Sequence, residues 1–577
     1  MLSYMLDKER ARRYNKYILI YTFKGEIMKP KLSDLTLRER IAQTGLTRPT
    51  MIEGDDYFAK NGYGGMWNAV FEYNRIKQKI SSEAKTENVS DDMKVDTSNL
   101  APSKKFVAKM TNITKSMKIP VLIATDAEKG KAFYGMSETT SCMGLGATDD
   151  VELVEELASC IAKECKSIGI RWIWGPILDN PSPFLSSSMV RNFSDDVEKI
   201  KAMGKAMMRG FQKNGLAATA KHFPGTDKHE YRDAHYCATV LRQSYDEWWK
   251  EQGCIFQELI DSGVDTVMVG HSAFPAIDDT KVQGGYLPAT LSYKIITELL
   301  KEKMGFKGLV ITDAVGMKGV TSVYPKEKLC VELLKAGNDM ILGFETPDYI
   351  DIIEKAVLSG ELSEERVNDA CQKVLDLKEK LGLFDENYEL GEGLTSELIE
   401  NTKKTSYKVA EKGITLICNE NKMIPLDKNK IKKVLICYLG YAQNVHDRLY
   451  SCMKPAFEAR GASVDIIKNM TRETIKTTKD YDLVLYVGHL ASHAPFGVAA
   501  FYADEALSFS YIMTEEKDKA IGVSLSSPYI YYDYFTNAPT FVNAYWNNEE
   551  TIETVVKGLY GECEFGGKSP VDLVPIR

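Results

Sequence analysis

Between about residues 115 and 345 short apolar runs alternate with longer amphipathic stretches. The runs are IPVLIAT (119–125), IRWIWGPI (170–177), AATAKHF (217–223), VDTVMVGH (264–271), GLVITDA (308–314) and NDMILGF (338–344). Near-continuous apolar strands separated by helix-length segments predict β-α units around a parallel sheet covered on both faces. The runs end in, or are soon followed by, polar or ionisable residues: Asp126, Asp179, Lys221 with His222, His271 and Asp313. In a parallel barrel the C-terminal strand ends ring one face, where catalytic groups gather. The pattern therefore predicts a (β/α)8-type, TIM-like barrel. In SEERVNDACQKVLDLKEKLGLF (363–384), Val367, Cys371, Val374 and Leu381 recur at helical spacing, with Ser363 placed to cap the start and Gly382 to end the helix.

That helix is expected to close a first domain over 28–385. The polar stretch 386–404 then reads as a linker. A second series follows, GITLICN (413–419), KKVLICYLG (432–440), YDLVLYVGH (481–489), KAIGVSLSS (519–527) and PTFVNAYW (539–546), which predicts a smaller α/β sandwich over 405–577. The polar segment 80–105 is expected to be an exposed excursion of the first domain.

A length of 577 residues exceeds what one core supports, in keeping with two domains. The apolar and charged fractions, 44% and 27%, are those of a globular chain. A net charge of −8 with no clustered basic face argues against nucleic acid as a partner. Eleven cysteines without a C-x-x-C pair imply neither a zinc site nor a disulfide framework, and a reducing, cytoplasmic setting is expected. No apolar run reaches the roughly 18 residues that span a bilayer, so no membrane partner is expected. Near the N-terminus YILIYTF is too short for a signal peptide and no cleavage site follows. Lys24-Gly25-Glu26 is encodable by a purine-rich stretch resembling a ribosome-binding site before Met28. Residues 1–27 are therefore expected to be a non-native extension, and peptides from them in the native protein's mass spectrum would refute that.

The segment KHFPGTDKHEYRDAH (221–235) holds three of the seven histidines. Lys221 and His222 stand at a strand end, and the residues after Gly225 form a loop over the same face. In an extended loop, side chains at i and i+2 share a side, so Asp233 can couple to His235. A carboxylate beside an imidazole raises its basicity and fixes its tautomer, which suits a group that donates and retrieves a proton. A lone D-x-H usually marks a solvated loop, and a lone strand-end aspartate usually caps a helix. Paired with a proton donor across the barrel mouth, Asp313 becomes a candidate nucleophile for glycosyl transfer. Asp227, His229 and Glu230 are rival proton donors, Glu230 foremost; His489 and His493 lie in the second domain.

These residues, with PVLIATDAEKG, GPILDNPSP, VRNFSDD, KHFPG, RDAH, VMVGHSAFPAID, PATLS and VITDAVGM, resemble glycoside hydrolase family 3 in its β-N-acetylglucosaminidase branch. GITLICNENKMIPL, SSPYIYYDYF and GKSPVDL are similar to that family's second domain. The resemblance implies a retaining double displacement that removes terminal β-linked N-acetylglucosamine from a carbohydrate, such as a cell-wall fragment or chitin oligosaccharide. It implies Asp313 as nucleophile, His235 with Asp233 as the acid/base dyad, and Asp126, Arg191, Lys221 and His222 as sugar-binding residues. A neutral imidazole does not repel an anionic acceptor as a carboxylate would, so phosphate is a possible competitor of water. Alternatives are a β-glucosidase with a glutamate acid/base and a silent sugar-binding protein. No residue cluster implies a metal or an organic cofactor, and the oligomeric state is not legible.

Two departures from the family pattern stand out. Thr226-Asp227 replaces a common His-Gly in the loop, and Lys129, followed by Lys131, stands where glycine and then arginine are usual.

Overall fold

The computed structural model describes residues 29–49, 53–67, 100–131, 135–181, 190–283, 285–344, 347–468, 478–490, 500–501 and 516–573. The expected extension 1–27, most of the polar segment 80–105, and His493 lie outside them.

The first sheet is built from β1 (Gly45–Thr47), β2 (Gly65–Trp67), β3 (Leu122–Thr125), β4 (Trp172–Ile173), β5 (Ala217–Phe223) and β6 (Thr266–Val269). A side hairpin, β7 (Lys281–Val282) and β8 (Gly285–Tyr286), precedes β9 (Leu309–Thr312) and β10 (Ile341–Leu342). The order β10-β1-β2-β3-β4-β5-β6-β9 is parallel throughout, and a parallel bridge between Ile311 and Met340 brings the last strand round to the first. This is the expected eight-stranded barrel. Its interior is filled by Leu46, Leu122, Trp172, Met268, Leu309 and Met340 among others. The indole of Trp172 donates to Thr219 Oγ1 and Thr266 Oγ1 at 2.8 and 3.0 Å, so these three polar side chains of the barrel satisfy one another.

Helices cover the outside, and several are started by a side-chain cap. Asp150 receives Leu153 N–H at the head of α1 (Val151–Ser167), and Asp196 receives Lys199 N–H at the head of α2 (Val197–Gln212). Ser363 caps α3 (Glu364–Lys380) at 3.2 Å, and Gly382, with φ 73°, terminates it as the sequence predicts.

The segment read as a linker is irregular only to Thr395. From Ser396 to Gly413 it is helix α4, capped by Thr395. Its buried side mixes Thr402, Thr405 and Ser406 with Ile399, Val409, Ala410 and Gly413, so hydroxyls interrupt the apolar stripe that announces a helix. A second sheet follows: β11 (Thr415–Asn419), β12 (Lys433–Leu439), β13 (Ser463–Lys468), β14 (Leu483–Gly488), β15 (Ala520–Ser524) and β16 (Thr540–Asn543), with α5 (Glu549–Leu559) after it. The order β11-β16-β15-β14-β12-β13 is parallel except for β11 at one edge.

Period-two alternation splits β12 between two cores. Val434, Ile436 and Tyr438 pack with Val445, Leu449 and Ile552. Leu435, Cys437 and Leu439 share a cluster with Met143, Ala147 and Val190 of the first domain. The two units therefore meet through a common apolar layer. Among the described residues no helix is long and apolar enough to cross a membrane.

Candidate active site

Strand β5 is irregular where it leaves the barrel: Lys221 lies opposite Met268 and Phe223 opposite Val269, which leaves His222 as the extra residue of a bulge. A bulge re-aims a side chain. Here it turns His222 toward the mouth, while Lys221, only 1% exposed, extends its Nζ to Asp126 Oδ1 at 2.6 Å. Asp179 holds His222 twice, accepting from the backbone N–H at 3.0 Å and meeting Nδ1 at 2.7 Å. With a carboxylate on Nδ1, Nε2 is the ring nitrogen left for a ligand.

After β5 the chain must turn back over the mouth. Gly225 makes that turn at φ 112°, and a Cβ there would stand 1.4 Å from Gln252 Oε1. The loop is then pinned by its own acids. Asp227 accepts from His229 N–H at 2.8 Å and Arg242 N–H at 3.1 Å. Glu230, buried, accepts from Arg232 Nε at 2.8 Å and Nη2 at 2.5 Å, and from the N–H groups of Arg232 and Val240. Burial favours the neutral form of Glu230, but these partners outweigh it and hold its pKa below the usual value.

Asp233 and His235 pair as the i, i+2 spacing predicts: Asp233 Oδ1 accepts from His235 N–H at 2.9 Å and meets Nδ1 at 2.7 Å. Asp233 is buried, whereas 41% of the His235 side chain is exposed. Burial lowers the imidazole pKa, yet the hydrogen bond and charge of Asp233, with the charge of Asp313, raise it above its ordinary value. Asp313 follows β9, its N–H donating to Val269 O at 2.8 Å and its Oδ1 accepting from Ala314 N–H at 2.7 Å. Burial works against its ionisation, but His222, His271, the Ala314 N–H and His235 bring its pKa down to about 2. His271 is itself held below its ordinary pKa by burial, with Nδ1 meeting Thr290 Oγ1 at 2.9 Å and Nε2 meeting Ala314 O at 3.1 Å.

Asp179, Arg191, His222, Asp233, His235 and Asp313 line one cavity that is open to solvent. Arg191 reaches it from Glu128, whose Oε1 takes Nε at 3.1 Å and Nη2 at 3.0 Å. Asp126 and Lys221, paired with each other, are not among the described residues lining that cavity; Asp126 lies close enough to Arg191 to help raise its pKa. His489, by contrast, is buried in the second domain.

Four participants escape the sequence pattern as site residues. Asp179 and His271 were visible only as strand-end polar groups. Glu128 lies three residues past β3 and shows its importance only through Arg191. Arg232 lines the cavity beside Asp233, and nothing in its spacing distinguishes it from a surface arginine. Among the described residues no group of three His, Cys, Asp or Glu side chains is arranged to hold a metal ion.

The arrangement is that of a paired imidazole and an ionised carboxylate facing one polar cavity. Residues 36–377 match the family model described as "Glycosyl hydrolase family 3 N terminal domain". A Cellulomonas fimi protein named "Beta-N-acetylglucosaminidase/beta-glucosidase" is 29% identical over 490 residues, covering 81% of this chain and 86% of that one. "Beta-hexosaminidase A" of Pseudoalteromonas piscicida is 30% identical over 290 residues, 46% of this chain and 48% of that one. Among solved structures, "Beta-glucoside phosphorylase BglX" superposes with a TM-score of 0.77 and 25% identity over 94% of both chains. A family 3 β-N-acetylglucosaminidase from Paenibacillus sp. str. FPU-7 shares the fold, with a TM-score of 0.76, 24% identity and 93% and 99% coverage.

Proposed function

We propose, from the premise that this chain belongs to glycosyl hydrolase family 3, that it is a retaining exo-glycosidase that removes terminal β-linked N-acetylglucosamine. The observation that carries the mechanism is the pair of fates in one loop. Glu230 is spent in a buried ion pair with Arg232, while His235 is backed by Asp233 and shares the cavity with Asp313.

Asp313, ionised, attacks the anomeric carbon as the glycosidic C–O bond breaks, giving a glycosyl-aspartate. Because Nδ1 faces the Asp233 carboxylate, the proton given to the leaving oxygen comes from Nε2 of His235. The neutral Nε2 then takes a proton from water as water opens the ester and Asp313 is released. Asp233 orients the ring and stabilises the imidazolium without itself being protonated. Arg191, His222, Lys221 and Asp126 are assigned to the sugar hydroxyls, Arg191 and His222 from the cavity wall and the Asp126–Lys221 pair from beside it. The names of the relatives support N-acetylglucosamine as the sugar. Eleven unbridged thiols suit a reducing, cytoplasmic setting.

A second reading takes phosphate as the acceptor in place of water. An imidazole in place of a carboxylate as the proposed acid/base favours it, as does likeness to a protein named as a phosphorylase. One experiment separates the readings: turnover of aryl β-N-acetylglucosaminide and aryl β-glucoside, with and without phosphate, followed by product analysis. Free N-acetylglucosamine in both conditions supports hydrolysis, a sugar phosphate supports the second reading, and preference for the glucoside refutes the sugar assignment.

A further inference from the structure

The departure at Lys129 has a partner in the other domain. Lys129 Nζ sits 3.8 Å from the ring centroid of Trp546, which follows β16. An ammonium on an indole face is attracted by the ring quadrupole, most strongly where water is excluded, and Trp546 is buried.

Both ends of this contact are fixed. Trp546 Nε1 donates to Glu138 Oε1 at 3.1 Å, and Glu138 also takes Lys131 Nζ at 2.7 Å and Arg448 Nη2. Arg448 in turn donates to Asn547 O at 2.9 Å and Asn547 Oδ1 at 2.6 Å, which locks the chain beside the tryptophan. On the barrel side, Lys131 N–H donates to Ser137 O at 2.8 Å and Thr139 N–H to Lys129 O at 3.0 Å. Gly130, with φ 68°, lies where a Cβ would meet Ser137 O at 2.3 Å, so the turn after Lys129 requires glycine.

Glu128, the residue before Lys129, is buried; its charge acts on the Lys129 ammonium together with that of Glu138, and its Oε1 carries both guanidinium bonds of Arg191. Arg191 lines the sugar cavity. Burial lowers the proton affinity of Lys129, offset by Glu128 and Glu138. An apolar residue would join the domains without that desolvation cost. A charge retained there shares Glu128 with Arg191 and leaves guanidinium capacity for a sugar hydroxyl.

We propose that Lys129 and Trp546 are an inter-domain positioning pair that sets affinity for the sugar through Glu128 and Arg191. The second domain thereby contributes to binding without touching the reacting atoms. This rests on the sugar assignment above.

The test uses the full chain and two readouts: KM and kcat with an aryl β-N-acetylglucosaminide, and calorimetric Kd for N-acetylglucosamine. Lys129→Met and Trp546→Leu are expected to raise KM and Kd about 5- to 20-fold, the worth of one desolvated cation–π contact, with kcat within about 3-fold. Lys129→Arg and Trp546→Phe keep the charge and the ring face and are expected to stay near wild type. The double variant should be no weaker than the weaker single one, because both act along one path. Lys129→Gln replaces the methionine variant if that fails to fold by circular dichroism. Unchanged Kd in a folded Lys129 variant, multiplying effects, or loss of kcat at constant KM overturns the inference alone. A wild type that does not bind N-acetylglucosamine overturns the sugar assignment and the inference with it.

Discussion

At the scale of single residues, the site separates groups that look alike in sequence by what each is bound to. Glu230 and His235 lie five residues apart in one loop, and only the second is left with a proton to exchange. Glu230→Gln is expected to keep turnover within about ten-fold, whereas Asp313→Asn removes more than about 1000-fold. His235→Ala should slow release of the sugar and be partly rescued by azide, which needs no base. Dependence of the Glu230 variant on leaving-group acidity, with a benign His235→Ala, would reverse the assignment.

The same contacts set the pH response. In the proposed mechanism His235 is protonated to assist departure, and its pKa is raised, so kcat/KM is expected to fall as pH climbs through that value, which lies above 6.5. Asp313, at about 2, imposes no acid limb in the neutral range. Asp233→Asn removes the carboxylate that favours the imidazolium and should move the descending limb about one unit toward lower pH. A pH–rate profile that keeps its descending limb in the variant would dissociate Asp233 from the proton transfer.

At the scale of elements, strands whose ends carry chemistry were legible because they are long apolar runs: β3, β5, β6 and β9 appear where the pattern places them. β1 and β2, with three residues each in the strand, are too short for periodicity to register. β13 was missed because SVDIIK buries little beyond Val464 and alternates weakly. The bulge at His222 was not legible either, since it depends on the register against β6.

Helix α3 carries a different hidden feature. Lys378 is wholly buried, its Nζ donating to Gln43 Oε1 at 2.7 Å, and burial lowers its pKa to about 7. The unfolded chain holds that proton up to about 10.5, so between the two values the unfolded state binds more protons and folding stability rises with pH. Urea unfolding of wild type against Lys378→Met should show a difference in stability that changes by up to ~1.4 kcal/mol per pH unit between pH 7 and 10. A pH-independent difference would mean that the lysine keeps its proton in the folded state as it does in the unfolded one.

At the scale of the molecule, the two domains were legible and their seam was not. The shared cluster of Met143, Ala147 and Val190 with β12 and β14 draws on residues hundreds of positions apart. Helix α4 also serves both sides: Val409 joins the barrel core and Ala410 the second core, while Thr402 donates to Glu164 on α1. Further ties run from Asp572 N–H to Asp195 Oδ2 at 2.7 Å and from Lys568 N–H to Ala147 O at 3.0 Å. Such a joint predicts one cooperative thermal transition for both units. Two separated calorimetric peaks in the wild type would contradict it.

The double allegiance of α4 also bears on how such proteins are recombined. A chimera joined near residue 405 would split one helix between two parents and give each half a foreign partner. A crossover in the irregular stretch between Gly382 and Thr395 passes the helix on whole, though its barrel-facing side must still match the recipient. Inheritance in this architecture runs with the secondary structure that bridges the cores, so the exchangeable unit begins at Ser396.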